Sequence, residues 1–170
     1  RWVQLPFAGV DAFIPIFRDS IAWTSAKGAY SEPVAEFALA LTLGALRELP
    51  RRARATEWGD KSGTMLYGLN VLVIGAGGIA QEFIRLIAPF RTHVTVVRRR
   101  EQPMAGVERT VTTERLGEVL PDADVVVVAA AATSLTRKLI GGPELRAMRP
   151  TAVLVNIARG SVVDTRALAE

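Results

Sequence analysis

The chain has 170 residues, 49% of them hydrophobic, and its net charge of +4 corresponds to a pI of about 10.1. No apolar run approaches the ~18 residues that a membrane-spanning helix needs, so no membrane partner is expected. The absence of cysteine excludes disulfides and thiolate sites and suits the cytoplasm, and a single histidine makes a metal site unexpected.

The basic character comes mainly from arginine, which supplies 18 of the 21 basic residues. Two clusters stand out, at residues 51–54 and 98–100, and neither is interleaved with aromatic side chains that could stack on bases. Arginines that close a helix are more often partners of the helix dipole on a solvated face. Nucleic acid is therefore not an expected partner.

The first third of the chain is predicted to alternate between strands and helices. A strand at Trp2–Leu5 is followed by a short helix after Asp11 and by a second strand at Ile21–Thr24. A long helix then begins at Ser31, predicted to be its cap residue, and runs until Pro50. Apolar residues recur along it at helical spacing, namely Val34, Phe37, Ala38, Leu41, Ala45 and Leu46.

The remainder of the chain follows a polar, glycine-containing linker at residues 51–69. Apolar runs at 71–74, 93–97, 124–128 and 152–156 are predicted strands, and the segments 81–90 and 113–120 are predicted helices. Such alternation predicts an α/β fold with a doubly wound parallel sheet of the Rossmann type.

A glycine motif, Gly75-x-Gly77-x-x-Ala80, lies between the first of these strands and its helix. Gly75 permits a tight turn, Gly77 lets the backbone approach a pyrophosphate, and small Ala80 allows close packing. We expect the backbone of Gly75, Gly77, Gly78 and Ile79 to contact a dinucleotide at the helix N-terminus. The motif by itself also fits a structural corner or another nucleotide or methyl-donor site.

The end of the next strand indicates which dinucleotide is preferred. An acidic residue there, roughly 20 residues after the glycines, would mark NAD because it binds the free ribose 2′-hydroxyl. This chain instead has Arg98 and Arg99, whose planar donors match phosphate oxygens. NADP is therefore favoured over NAD, and a solvated basic loop is the alternative.

Two segments near the C-terminus have a more specific pattern. Asp124 begins a run of four valines and four alanines that leads to Thr133-x-x-Thr136, and residues 155–164 read Val-Asn-x-x-Arg-Gly-x-x-Val-Asp. Together with the glycine motif, these segments resemble the D-isomer-specific 2-hydroxyacid dehydrogenases. The resemblance covers almost the whole chain, since residues 3–11 are similar to the family's substrate loop and the long helix to its crossover helix.

The resemblance implies an oxidoreductase that passes a hydride between NADP(H) or NAD(H) and C2 of a small D-2-hydroxy or 2-oxo acid. Arg159 is similar to the family's catalytic arginine, whose fork can meet the substrate carboxylate and the C2 oxygen together. N–H groups around Ala8 and Gly9 would bind the carboxylate from the other side. Thr133 and Ala158 match positions expected to contact the cofactor.

Two further positions are expected to have structural roles, and two others differ from the residue that the family usually has. Asn156 and Asp164 are expected to brace the loop of Arg159. Phe7 replaces a residue that is usually small in the substrate loop, and Ala131 stands where proline often precedes the threonine turn.

The family's acid is a histidine supported by a glutamate, and both would follow Arg159 by more residues than this chain has. The only histidine, His93, lies too early to match. General acid catalysis contributes ~10²–10⁴-fold, so the 170-residue piece is expected to be nearly inactive alone.

We interpret residues 1–33 as part of a second α/β substrate domain, and 34–170 as the dinucleotide-binding domain with its crossover helix, cut short at its C-terminal end. Leu39, Leu43 and Leu46 could join two subunits in a homodimer, and core burial within one chain is the alternative for them. An alternative function is a non-catalytic dinucleotide-binding module or sensor of the same fold.

Overall fold

The computed structural model describes residues 1–170 and contains seven strands and six α-helices. The strands are β1 (Trp2–Leu5), β2 (Ala22–Ser25), β3 (Asn70–Ile74), β4 (His93–Val97), β5 (Arg109–Val111), β6 (Val125–Val128) and β7 (Val153–Asn156). The helices are α1 (Ser31–Leu46), α2 (Leu49–Arg52), α3 (Gly78–Ile87), α4 (Leu116–Val119), α5 (Gly142–Ala147) and α6 (Thr165–Ala169).

Five strands form one parallel sheet in the order β5-β4-β3-β6-β7. Val71 of β3 lies opposite Val94 of β4 on one side and Val125 of β6 on the other. The chain order therefore reverses between β3 and β6, as in a doubly wound sheet. The predicted Rossmann-type α/β fold is confirmed.

The sheet is covered on both faces, which explains why its central strands are continuously apolar. Alternate residues of β3 point to opposite sides, so Val71 and Val73 join the core that includes α1 and α3. Leu72 and Ile74 join a second core that includes α4. All four side chains are at most 1% exposed.

The N-terminal residues form a separate two-stranded parallel sheet of β1 and β2. The short helix predicted after Asp11 is a 3-10 turn at Ile14–Ile16. Phe7 is exposed and stacks on Phe13, with 6.2 Å between the ring centroids. The bulky residue that departs from the family's pattern therefore has an aromatic partner within its own loop.

The long helix α1 differs from its prediction at both ends. Tyr30 is the N-cap, and Ser31 is already helical and makes no capping hydrogen bond. The helix ends at Leu46, and Glu48 adopts a left-handed backbone with φ 52° before the separate helix α2, which contains Pro50.

The predicted apolar face of α1 is only partly the buried one. Phe37 is 59% exposed and Leu41 is 40% exposed, although both belong to the predicted series at helical spacing. Because α1 has apolar residues on nearly every side, their spacing does not select one face. The fully buried positions are Ala35, Ala38 and Thr42.

The leucines expected to join subunits pack within the chain instead. Leu46 is 7% exposed, and Leu39 and Leu43 are half-buried against the same core. These contacts favour the alternative of core burial within one chain, and the homodimer stays a prediction.

Several short elements were not predicted, namely β5, α5 and α6. The helix predicted at 113–120 is a chain of short turns in which only α4 is α-helical. No helix of the structure combines the length and the apolar character that crossing a membrane requires.

Candidate functional site

The glycine motif lies where the order of the strands reverses. Because all five strands are parallel, their carboxyl ends share one edge. In doubly wound sheets, ligands bind outside this edge at the point where the strand order reverses, which here lies between β3 and β6. Gly75 donates its N–H to the Val97 carbonyl of β4 (2.8 Å), while Ala129 donates to the Ile74 carbonyl of β3 (2.8 Å). The glycine turn is thus tied to both neighbouring strands.

Gly75 has a backbone conformation that favours glycine, with φ +115°. A Cβ at this position would lie 2.8 Å from the carbonyl carbon and oxygen of Ala129 and 2.9 Å from the nitrogen of Ala130. These neighbours are backbone atoms that cannot rotate away. The predicted need for glycine in the tight turn is therefore explained by the close approach of the chain after β6.

Gly77 is the N-cap of α3 and has extended backbone, with open space where a Cβ would lie. The N–H groups of Gly78 and Ile79, in the first turn of this ten-residue helix, have no backbone acceptor. This combination of free donors, helix dipole and unobstructed approach fits the pyrophosphate of a dinucleotide.

Gly78 also has a packing role that the sequence did not predict. A Cβ on it would lie 2.5 Å from Oγ of Ser31, so α3 and α1 approach closely at their first residues. Ala80 is fully buried in the core that α1 and α3 share, as its small size predicted.

The arginine run follows β4 at the same edge of the sheet. The N–H of Arg98 donates to the Val111 carbonyl (3.0 Å), and its Nη2 lies 3.5 Å from Oε1 of Gln102. Neither Arg98 nor Arg99 forms a salt bridge, and Arg99 is exposed. Positive charge is thus available beside the glycine turn.

The loop after β6 is closed by the threonine pair. The Oγ1 atom of Thr136 accepts the N–H of Thr133 (2.8 Å) and donates to the Ala131 carbonyl (2.7 Å). The Oγ1 atoms of the two threonines are 3.1 Å apart. These contacts fix the turn at the carboxyl end of β6 without proline.

The loop after β7 is braced as predicted. Nδ2 of Asn156 donates to the Arg159 carbonyl (2.9 Å), and its Oδ1 accepts the N–H of Ala158 (3.0 Å). Asp164 caps α6 and forms an ion pair with Lys138 at 3.0 Å, which holds the pKa of the Asp164 carboxyl below its ordinary value. Because the N–H of Ala158 donates to Asn156 and its carbonyl already accepts a hydrogen bond from Nη1 of Arg159 (2.9 Å), the contact expected between this residue and a cofactor is mainly van der Waals.

The guanidinium of Arg159 lies directly against the N-terminal loop. A Cβ on Gly9 would stand 1.9 Å from Nη2 of Arg159, so only glycine allows this approach. The N–H groups of Ala8 and Gly9 donate to no backbone acceptor. The tertiary structure thus places the guanidinium of Arg159 beside the free N–H groups of Ala8 and Gly9. These donors together can bind a carboxylate.

Asp11 is a member of this site that sequence reasoning missed. Its Oδ1 lies 3.5 Å from Nη2 of Arg159, and about half of each side chain is exposed. Its position two residues after Gly9 was the available signal, but an aspartate in a loop is too common to be informative alone.

Two other features lie apart from this site. His93 is paired with Glu108 at 2.9 Å at the amino end of β4, opposite the edge that carries Arg159. An open cleft of about 390 Å³ lies after α1 and is lined by residues that include Glu48, Arg52 and Trp58, none of which is a predicted site residue.

Comparison with known proteins agrees with this geometry. The family model described as D-isomer specific 2-hydroxyacid dehydrogenase, NAD binding domain, matches residues 37–170. A glyoxylate reductase of Thermococcus gammatolerans is 36% identical over 163 residues, which are 89% of this chain and 49% of the relative. The chain spans about half the length of these curated relatives.

Solved structures are also similar. A glyoxylate reductase from Paecilomyes thermophila is 30% identical with a TM-score of 0.83, covering 99% of this chain and 53% of its own. A D-isomer specific 2-hydroxyacid dehydrogenase from Xanthobacter autotrophicus Py2, in complex with NADPH and MES, is 28% identical with a TM-score of 0.86, covering 99% and 55%. The chain therefore belongs to the D-isomer specific 2-hydroxyacid dehydrogenase family, and residues 37–170 match that family's NAD-binding domain.

Proposed function

We propose that the protein containing this chain is an NAD(P)-dependent oxidoreductase of small D-2-hydroxy and 2-oxo acids. The observation that carries the proposal is the contact between the Arg159 guanidinium and Gly9 at the edge of the sheet where the glycine turn lies. A dinucleotide-binding module without catalysis would have no use for this contact. The glyoxylate reductases among the relatives support a small 2-oxo acid as substrate.

Each part of the site has a role in this scheme. The free amides of Gly78 and Ile79 would bind the pyrophosphate, with Gly75 and Gly77 leaving room for it and Thr133 lining the opposite wall of the crevice. When bound, the nicotinamide supplies or accepts the hydride.

Arg159 would hold the substrate carboxylate and the C2 oxygen, stabilising negative charge that develops on that oxygen. The amides of Ala8 and Gly9 would hold the carboxylate from the other side. Such a clamp fixes C2 for attack, which is the main contribution that positioning groups make to rate.

We further propose NADP as the favoured cofactor, because Arg98 and Arg99 are unpaired cations at the end of β4, where an acidic residue would favour NAD. The relative solved with NADPH supports this choice. We also propose a cytoplasmic location, because the chain contains no cysteine.

The division into domains is also a proposal, with residues 1–33 in the substrate domain and 34–170 in the dinucleotide-binding domain. The separate sheet of β1 and β2 supports it. We propose that residues 1–170 alone turn over slowly, because His93 at the far edge of the sheet cannot protonate a substrate held by Arg159.

The experiment that tests the activity is a steady-state assay of the natural polypeptide with NADPH and glyoxylate. Arg159→Ala is expected to lower kcat/KM by roughly 10²- to 10³-fold, because one donor to a developing oxyanion has this effect. Arg166→Ala, which removes an exposed arginine of α6, is the matched control. Equal activity of the two variants would refute the role of Arg159.

A further inference from the structure

Asp11 has a single charged partner, the guanidinium of Arg159, with Oδ1 3.5 Å from Nη2. No other acidic side chain lies within 4.0 Å of a nitrogen of Arg159. The pair is therefore an isolated ion pair inside the proposed substrate site rather than part of a surface network.

Two contacts hold the guanidinium by its two terminal nitrogens. Nη1 donates to the Ala158 carbonyl at 2.9 Å, and Nη2 faces Asp11. The Nε donor of Arg159 has no acceptor in the structure. The first contact ties the side chain to its own loop, and the second ties it to the loop that carries Gly9.

The second contact determines where the guanidinium lies relative to Gly9. Nη2, the atom facing Asp11, is also the atom that a Cβ on Gly9 would approach to 1.9 Å. A half-exposed arginine has many rotamers, and an exposed ion pair adds little to stability. The effect of the pair is therefore expected in the geometry of the site rather than in the stability of the fold.

We propose that Asp11 is a positioning residue that holds the guanidinium of Arg159 over Gly9, in the orientation that a 2-oxo acid requires. This inference rests on the proposed function. The carboxylate of Asp11 is also a negative charge that competes with the substrate carboxylate for the same guanidinium. The carboxylate of Asp11 is therefore expected to raise kcat, because it positions Arg159, and to weaken substrate affinity, because it competes with the substrate carboxylate.

The test compares Asp11→Ala, Asp11→Asn and the unchanged natural polypeptide in steady-state assays with NADPH and glyoxylate. Asp11→Ala is expected to lower kcat by roughly 10- to 100-fold, since a misplacement of about 1 Å can reduce rate by 10². Its KM is expected to stay unchanged or to fall. Asp11→Asn keeps an acceptor oxygen for Nη2 and is expected to recover most of kcat.

Binding of oxamate, an unreactive analogue of a 2-oxo acid, gives a readout independent of turnover. Calorimetric titration in the presence of NADPH is expected to give an equal or tighter Kd for Asp11→Ala. Asp19→Ala is the matched control, because Asp19 is an exposed acidic residue of the same loop with no ion pair. It is expected to leave kcat, KM and the oxamate Kd unchanged.

The outcomes separate this inference from the proposed function. Unchanged kcat in Asp11→Ala overturns the inference, as does weaker oxamate binding together with a lower thermal midpoint, which would indicate a structural contact. If Arg159→Ala retains full activity, the proposed function fails as well. Loss of activity in Arg159→Ala with full activity in Asp11→Ala would overturn only the role of Asp11.

Discussion

Arg98 is the residue at which we expect the two nicotinamide cofactors to be distinguished. Its backbone is held by the hydrogen bond to the Val111 carbonyl, while its side chain has only a 3.5 Å contact with Gln102. A guanidinium held at its base and free at its tip can bind a 2′-phosphate without first breaking an ion pair.

Replacing this charge should affect one cofactor selectively. Arg98→Asp is expected to weaken NADPH binding by roughly 10- to 100-fold, because a hydrogen bond to a charged group contributes a free energy of this size. NADH binding is expected to change far less. Fluorescence titration of both cofactors measures this difference. Arg54→Asp, the same charge change in the polar loop after α2, controls for net charge. Equal losses for NADPH and NADH in Arg98→Asp would contradict the assignment.

At the scale of elements, the turn from β3 to α3 uses two glycines for different physical reasons. Gly75 is required by its left-handed backbone and by the backbone of Ala129. Gly77 has ordinary extended backbone and open space around it, so the fold does not require glycine there.

The two positions should therefore separate folding from binding. Gly75→Ala is expected to lower the free energy of unfolding by about 1–3 kcal/mol, because both its backbone conformation and its neighbours oppose a Cβ. Gly77→Ala is expected to change the free energy of unfolding by less than about 1 kcal/mol. It is expected to weaken NADPH binding by roughly 10- to 100-fold, because contacts with the pyrophosphate are lost. Denaturant unfolding and cofactor titration measure the two effects. Full NADPH affinity in Gly77→Ala would contradict the proposed pyrophosphate site.

At the scale of the whole molecule, the exposed side of α1 is a candidate surface for a second subunit, and we propose a homodimer through it. Phe37 and Leu41 lie one helical turn apart and are 59% and 40% exposed. Large apolar side chains that are adjacent and exposed are typical of interaction surfaces. They are more exposed than the half-buried Leu39 and Leu43, which makes them the stronger candidates for subunit contact.

Phe37→Glu is expected to shift a dimer toward monomer, raising the dissociation constant by roughly 30-fold or more, as for a central aromatic residue of an interface. Sedimentation velocity over a range of protein concentrations measures this change. Leu135→Glu introduces the same charge at an exposed leucine of the loop after β6 and is expected to leave the dimer intact. A monomeric unchanged protein, or an unaffected Phe37→Glu dimer, would refute this interface.

The sheet and the glycine turn were predictable because their signals are local. A run such as Val125–Val128 is recognisable as a buried parallel strand, and the spacing of Gly75 and Gly77 identifies the turn that follows β3. Short elements such as β5 and α5 were missed because three to six residues carry too little periodicity.

The sequence by itself determined the fold class, the position of the glycine turn and the family, since each depends on residues close together in the chain. Only the tertiary structure decided which side of α1 is buried, because a helix with apolar residues all round has no preferred face until it packs. The tertiary structure also brought Gly9 and Asp11 to Arg159. Such a contact depends on how β1 and β7 are placed in space, and no local pattern in the sequence encodes that placement.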